Sequence, residues 1–83
     1  MKVRVRYFAS IREALGAGEA IEVAQGSDVA AVRDALIALD VPHATALARG
    51  KALRSALNQV LCDERAAIDE NAELAFFPPV TGG

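Results

Sequence analysis

The 83-residue sequence predicts an α+β domain in which a small mixed β-sheet carries one main helix packed across one of its faces. Three observations point there. Residues 2–8 alternate charged with apolar side chains, residues 29–39 repeat apolar side chains at helical spacing, and the last third holds two further apolar runs of strand length, at 56–62 and 73–77.

Each element has its own warrant. In the first, Val3, Val5 and Tyr7 face one way and Lys2, Arg4, Arg6 and Phe8 the other, the pattern of a half-buried strand, because successive strand side chains point to opposite sides. Ser10-Ile11-Arg12-Glu13 has the spacing of a capping box, so a short helix is expected there, broken by Gly16 and Gly18. Residues 19–24 alternate again and predict a second strand, ended by Gln25-Gly26. Ser27 or Asp28 caps the main helix, whose Val29, Val32, Leu36 and Leu39 share one face while Arg33, Asp34 and Asp40 lie off it. Val41-Pro42 stops it, since the residue before proline avoids the helical region and proline lacks a donor. Alanine-rich residues 44–48 predict a helical turn and Arg49-Gly50-Lys51 a tight turn. Residues 56–62 read as a third strand, 63–71 as a polar connection with a short extended piece at 66–68, and 73–77 as the last strand. The predicted order is strand, strand, helix, strand, strand.

Composition narrows the function. A chain with 53% hydrophobic and 24% charged residues is globular, and its length accommodates a single domain, residues 1–83. So small a domain buries only about 60% of its unfolded surface. A binding or carrier module is therefore expected rather than an enzyme with an enclosed site. The net charge of −2 and the absence of a basic stripe argue against nucleic acid as a partner. The basic residues are nonetheless uneven, with Lys2, Arg4, Arg6 and Arg12 near the start and Arg49, Lys51 and Arg54 in a second group, a distribution that suits either a solvated surface or docking to an acidic protein. One cysteine, Cys62, cannot form an internal disulfide. With neither a signal-peptide pattern nor an apolar run of membrane-spanning length, the expectation is a cytoplasmic protein without membrane contact. His43 lacks companions at metal-ligand spacing and reads as a surface or capping residue, and Asp69, Glu70 and Glu73 read as loop solubility, so no metal site is expected.

Alternation also assigns faces. Phe8 sides with Arg4 and Arg6, Leu61 with Gln59 and Asp63, and Phe77 with Ala75 and Glu73, whereas Val60, Cys62, Leu74 and Phe76 point toward the core. Cys62 is thus expected to be buried and inert. Phe8, Leu61 and Phe77 fall on the uncovered face, where an apolar cluster rimmed by charge marks a protein interface.

The end of the chain, Phe76-Phe77-Pro78-Pro79-Val80-Thr81-Gly82-Gly83, carries the chemistry. Two prolines remove ladder donors and impose an extended course, so residues 78–83 are expected to leave the sheet as a flexible tail that reaches roughly 20 Å at about 3.3 Å per residue. Gly82 and Gly83 leave no side chain beside the terminal carboxylate, which lets a narrow channel admit it and a second reactant approach its carbonyl carbon. Ionised at neutral pH, that carboxylate is able to attack the α-phosphate of ATP held by another enzyme.

At these residues, together with Leu57-Asn58-Gln59, Tyr7-Phe8-Ala9 and Ile11-Arg12-Glu13, the sequence resembles the sulfur-carrier subunits of molybdopterin synthase, ubiquitin-like proteins of the β-grasp fold. The resemblance runs end to end and is least close at residues 63–67. It implies a cycle on Gly83 in molybdenum cofactor biosynthesis. A ubiquitin-activating-type adenylyltransferase, using ATP and magnesium, adenylates the carboxylate, a sulfur donor protein displaces AMP to leave a thiocarboxylate, and the large synthase subunit receives the tail. There the thiocarboxylate delivers sulfur to a cyclic pyranopterin precursor, two sulfurs completing each dithiolene. The resemblance further implies a heterotetramer of two large and two small subunits, with catalytic side chains on the large one and no cofactor bound by the small one. In these terms Gly83 reacts, Pro78, Pro79, Val80, Thr81 and Gly82 insert, and Phe8, Leu61 and Phe77 dock, with Arg12 as a further polar contact. The residues leave three alternatives open: a carrier serving thiazole or transfer RNA, a protein modifier joined through Gly83 to lysines, and an interaction module with an incidental terminus.

Overall fold

The computed structural model describes residues 1–79. Chain order runs β1 (Lys2–Tyr7), α1 (Ala9–Leu15), β2 (Gly18–Glu22), α2 (Val29–Ile37), α3 (Val41–Ala46), β3 (Arg54–Leu57), β4 (Val60–Cys62) and β5 (Glu73–Phe77). The strands form one mixed sheet in the order β2-β1-β5-β3-β4, with β1 and β5 parallel and the other neighbours antiparallel. The helix-covered face of β1 supplies Val3, Val5 and Tyr7, and that of β5 supplies Leu74 and Phe76, all buried against Ile11, Val29, Val32, Leu36 and Leu47. Each large apolar side chain removed from water in this way contributes about 1.5–3 kcal/mol.

The α+β layout agrees with the expectation, and several local expectations are corrected. The capping box does not form, because α1 starts a residue before Ser10, with Phe8 at its N-cap and no side-chain cap. Ala9 adopts the left-handed conformation (φ 54°), turning strand into helix in a single residue, and Gly16 (φ 93°) closes the helix as expected. Of the two candidate caps for the main helix it is Asp28 that accepts a hydrogen bond from the Ala31 amide. That helix ends at Ile37, so Leu39 is 53% exposed instead of in the core. Pro42 ends nothing by itself: it sits in the first turn of α3, where its missing donor costs nothing, and Asp40 is the cap, accepting from the His43 amide at 2.9 Å.

The expected third strand is a hairpin. Asn58 and Gln59, both with positive φ, turn β3 into β4 and reverse the chain. Asn58 is fixed to β5, its Oδ1 accepting from the Glu73 amide at 3.0 Å and its own amide donating to the Glu73 carbonyl at 2.8 Å. Because β4 is an edge strand, Val60 is 69% exposed although it lies on the helix side, and Cys62, also on that side, is only half-buried beside the Ser55 hydroxyl. The buried thiol expected from alternation is not found.

Arg33 departs furthest from expectation. Placed off the apolar face of α2, it is 3% exposed, and its guanidinium donates to the carbonyls of Leu47, Ala48 and Lys51 at 2.8, 2.6 and 3.1 Å and to Glu64 at 2.5 Å. Arg49 completes the cluster by binding Asp34, Glu64 and the Ala30 carbonyl. Burial opposes the charge on Glu64, but hydrogen bonds from Arg49 and Arg33 outweigh it and hold the carboxyl below its usual range. The cluster thereby fixes the loop that leads from α3 into β3.

A second polar cluster ties α3 to the sheet. His43 Nδ1 lies 2.6 Å from Asp40 and Nε2 lies 2.6 Å from Glu19, which also accepts from the Tyr7 hydroxyl at 2.6 Å. Burial and the Glu19 hydrogen bond push the Tyr7 phenol far above its ordinary value, so it serves only as a neutral donor. For His43, burial favours the neutral ring, yet the bonds to Glu19 and Asp40 outweigh it and raise the pKa. The surface or capping role expected of His43 is therefore a clamp between β2 and α3.

Two outcomes follow from these clusters. Replacing Arg33 by Met strands three carbonyls and should lower the unfolding free energy by about 2–4 kcal/mol, read by urea denaturation; an unchanged midpoint contradicts the organising role. The His43 contribution is complete below the unfolded pKa of about 6.5 and fades as pH rises through the higher folded value. Thermal stability should thus decline as pH climbs past that point, in a component that His43→Gln removes, whereas parallel profiles for the two proteins would refute the clamp.

Candidate functional site

The sheet leaves one face without helices, and register places its side chains in rows. One row runs Leu61 on β4, Ala56 on β3, Ala75 on β5, Arg6 on β1 and Gly18 on β2. The next, nearer the exit of β5, has Arg54 opposite Phe77, with Phe8 following Tyr7 on the other side. The three expected anchors therefore share this face: Leu61 is 61% exposed, Phe8 is 40% exposed and Phe77 is half-buried. Small side chains at Ala56 and Ala75 make the floor between them shallow, and Gly18 ends the row beyond Arg6. A side chain at Gly18 would press on the Val5 carbonyl oxygen, which explains glycine there.

Charges border this patch. The Arg6 guanidinium lies 5.7 Å from the Phe8 ring centre, a cation–π distance, and 3.9 Å from Glu73. Arg54 stands exposed beside Phe77 on the neighbouring strand. The sequence reading missed Arg54 as part of this face because it began the third strand at Ala56; the polar Asn58-Gln59 pair between Leu57 and Val60 was the available signal for a hairpin starting earlier. Arg12, one turn into α1 beyond Phe8, is exposed; its amide donates to the Phe8 carbonyl at 3.3 Å, and no described side-chain contact ties it to the patch.

The tail begins at this edge. Phe77 ends β5, Pro78 is half-buried and Pro79 exposed, and the expectations for Val80, Thr81, Gly82 and Gly83 lie outside the described residues. The two prolines also line an apolar cavity of about 540 Å³ between α1 and α3, bounded by Ile11, Val41, Pro42 and Leu53. Among the described residues Lys51 is the single titratable side chain in its lining. The open face offers an apolar docking surface with a charged border beside the exit of β5.

A helix-backed mixed sheet whose last strand lies between β1 and β3 and leaves through a diproline defines a ubiquitin-like domain of the β-grasp class. Residues 5–83 match the ThiS family. The molybdopterin synthase sulfur carrier subunit of Haemophilus influenzae is 42% identical over 82 residues, covering 98% of this chain and 99% of the relative. Among solved structures, SAMP1 from Haloferax volcanii, a small archaeal modifier protein, superposes with a TM-score of 0.79 at 26% identity, each chain covered completely. The complex of subunits 1 and 2 of molybdopterin-converting factor from Helicobacter pylori gives 0.69 at 26% identity, again with complete coverage of both chains. The chain belongs to the ThiS family of small β-grasp proteins.

Proposed function

We propose that the protein is the sulfur carrier subunit of a molybdopterin synthase, acting in molybdenum cofactor biosynthesis. The near full-length similarity to a relative of that name carries the reading. The exit of β5 beside an apolar sheet face supports it, because a partner that grips Phe8, Leu61 and Phe77 stands where the chain departs.

In this reading the Gly83 carboxylate attacks the α-phosphate of ATP on a ubiquitin-activating-type adenylyltransferase, pyrophosphate leaves, and a sulfur donor protein displaces AMP to give the thiocarboxylate. ATP and magnesium belong to that partner. Val80, Thr81 and Gly82 follow Pro78 and Pro79 into the large synthase subunit in this reading, where sulfur passes to the pyranopterin precursor. The large-subunit partner matches the kind of pair solved from Helicobacter pylori, and the proposed assembly is two large and two small subunits. Arg12 adds a polar contact at the edge of the interface in this reading. A cytoplasmic setting, which keeps thiols reduced, suits the unpaired Cys62.

The likeness to a small archaeal modifier protein favours one other reading, in which Gly83 is joined to lysines of other proteins. Intact mass spectrometry separates the two. After incubation with the activating enzyme, ATP, magnesium and a sulfur donor, the chain should gain the mass of one oxygen-to-sulfur exchange at Gly83, and a chain lacking Gly83 should not. No gain, with the enzymes active on a control carrier, refutes the carrier; a ladder of isopeptide-linked products in lysate supports the modifier. Phe77→Ala should weaken binding to the large subunit by about 1–3 kcal/mol in calorimetry, and unchanged affinity removes Phe77 from the anchors.

A further inference from the structure

We infer that the end of the open face from which the tail departs recognises an acidic protein surface, with Arg6 and Arg54 as the residues that read it. The inference rests on the proposed docking role of the face and names the chemistry of the partner surface that fits it.

Some of the basic residues find internal partners once they are placed and others do not. Arg33 and Arg49 are consumed internally by Glu64, Asp34 and loop carbonyls. Lys2 lies across from Glu22, and its amide is held by Glu70 at 3.2 Å. Arg4 donates to the Asn71 carbonyl at 3.2 Å and lies beside Glu73. Glu73 is the register partner of Arg4, and its carboxylate approaches the Arg6 guanidinium only to 3.9 Å, a long and partly exposed pair. The Arg54 side chain makes no hydrogen bond or ion pair with any described residue. Asp63, just past the end of β4, accepts instead from the Arg65 amide at 2.8 Å.

Arg12, Lys51 and Arg65 also lack an ion pair among the described residues, but Arg6 and Arg54 are the basic residues that stand in the rows of Phe8, Phe77 and Ala75, and the parallel pairing of β1 with β5 puts those rows at the tail's point of departure. Arg54 flanks Phe77 on one side, and Arg6 covers Phe8 on the other. Apolar anchors between the unpaired Arg54 guanidinium and the loosely paired Arg6 guanidinium fit a partner surface that offers an apolar recess rimmed by carboxylates. Guanidinium groups favour such sites because they bind carboxylates in a bidentate, planar way. Charges at the rim of an interface act chiefly on the encounter rate and on partner choice, so the signature is kinetic and salt-dependent.

The test measures association of the full chain with the large synthase subunit, by stopped flow across sodium chloride from low to high concentration. Wild type should associate several-fold faster at low salt, and Arg6→Ala/Arg54→Ala should lose about 5–10-fold of that rate and flatten the salt dependence. Arg54→Lys should retain the slope, and Arg54→Glu should slow association below the alanine variant. Both arginines are exposed, and circular dichroism verifies that the variants fold. If the double variant keeps the wild-type rate and salt slope while Phe77→Ala still weakens binding, the acidic-surface inference is overturned and the docking face stands. If Phe77→Ala also has no effect, the face itself is misassigned and both readings fall, while thiocarboxylate formation at Gly83 is scored independently by mass.

Discussion

The parallel pairing of β1 with β5 is the constraint on which the rest of the molecule depends. It joins the two ends of the sequence at the middle of the sheet, so β5 has a neighbour on each edge and must be apolar toward the helices, where Leu74 and Phe76 are fully buried. Parallel strands run in the same direction, so the end of β1 and the end of β5 coincide. Phe8 and Phe77 consequently stand together where the diproline interrupts the ladder, since proline cannot donate to a neighbouring strand. The location of the docking face relative to the tail is thus a product of topology, fixed before any partner is considered.

That topology requires a long return path from α2 to β3, and a domain this small has little core with which to hold it. Arg33 supplies the order by another route. One buried guanidinium organises three carbonyls of the 47–51 loop and meets a carboxylate shared with Arg49. The same loop leads directly into Arg54 and Ala56 on the open face, so an interaction on the helix side determines where the face begins. His43 performs a comparable task for α3 through Glu19, a residue of the opposite edge strand. Both clusters join segments that hydrophobic periodicity leaves unconnected.

The legible part of the fold was the part governed by period. The alternation of β1 and β5, the Val29, Val32 and Leu36 stripe and the Gly16 stop all reflect local backbone geometry and were readable from residue order. The open-face positions of Phe8, Leu61 and Phe77 were readable for the same reason. The errors arose where a long-range partner decided the outcome. Arg33 belongs in the interior only because distant carbonyls await it; Cys62 and Val60 point toward the helices yet stay accessible because β4 is an edge. The Asn58-Gln59 turn lacks the glycine that would have announced it, and Asn58 is held there by β5. The Ser10 box had the right spacing and the wrong position, because the left-handed turn at Ala9 starts α1 one residue early.

On the proposed reading, this arrangement also explains why a carrier can be so small. The reacting group requires no side-chain machinery of its own, so the domain has only to present a terminus and be recognised. Recognition and presentation share one edge of the sheet, and a partner that covers Phe8 and Phe77 receives the tail in the same encounter. Two partners that both use this edge exclude one another, so the carrier must leave the activating enzyme before it meets the synthase. A shallow face with three apolar anchors and a charged rim suits such an exchange: the apolar contacts supply the hold, and the rim supplies speed of encounter without deepening the complex. A larger apolar face would favour a permanent assembly and impede the handover, which gives a physical reason for alanines at positions 56 and 75, where a strand readily accepts larger residues.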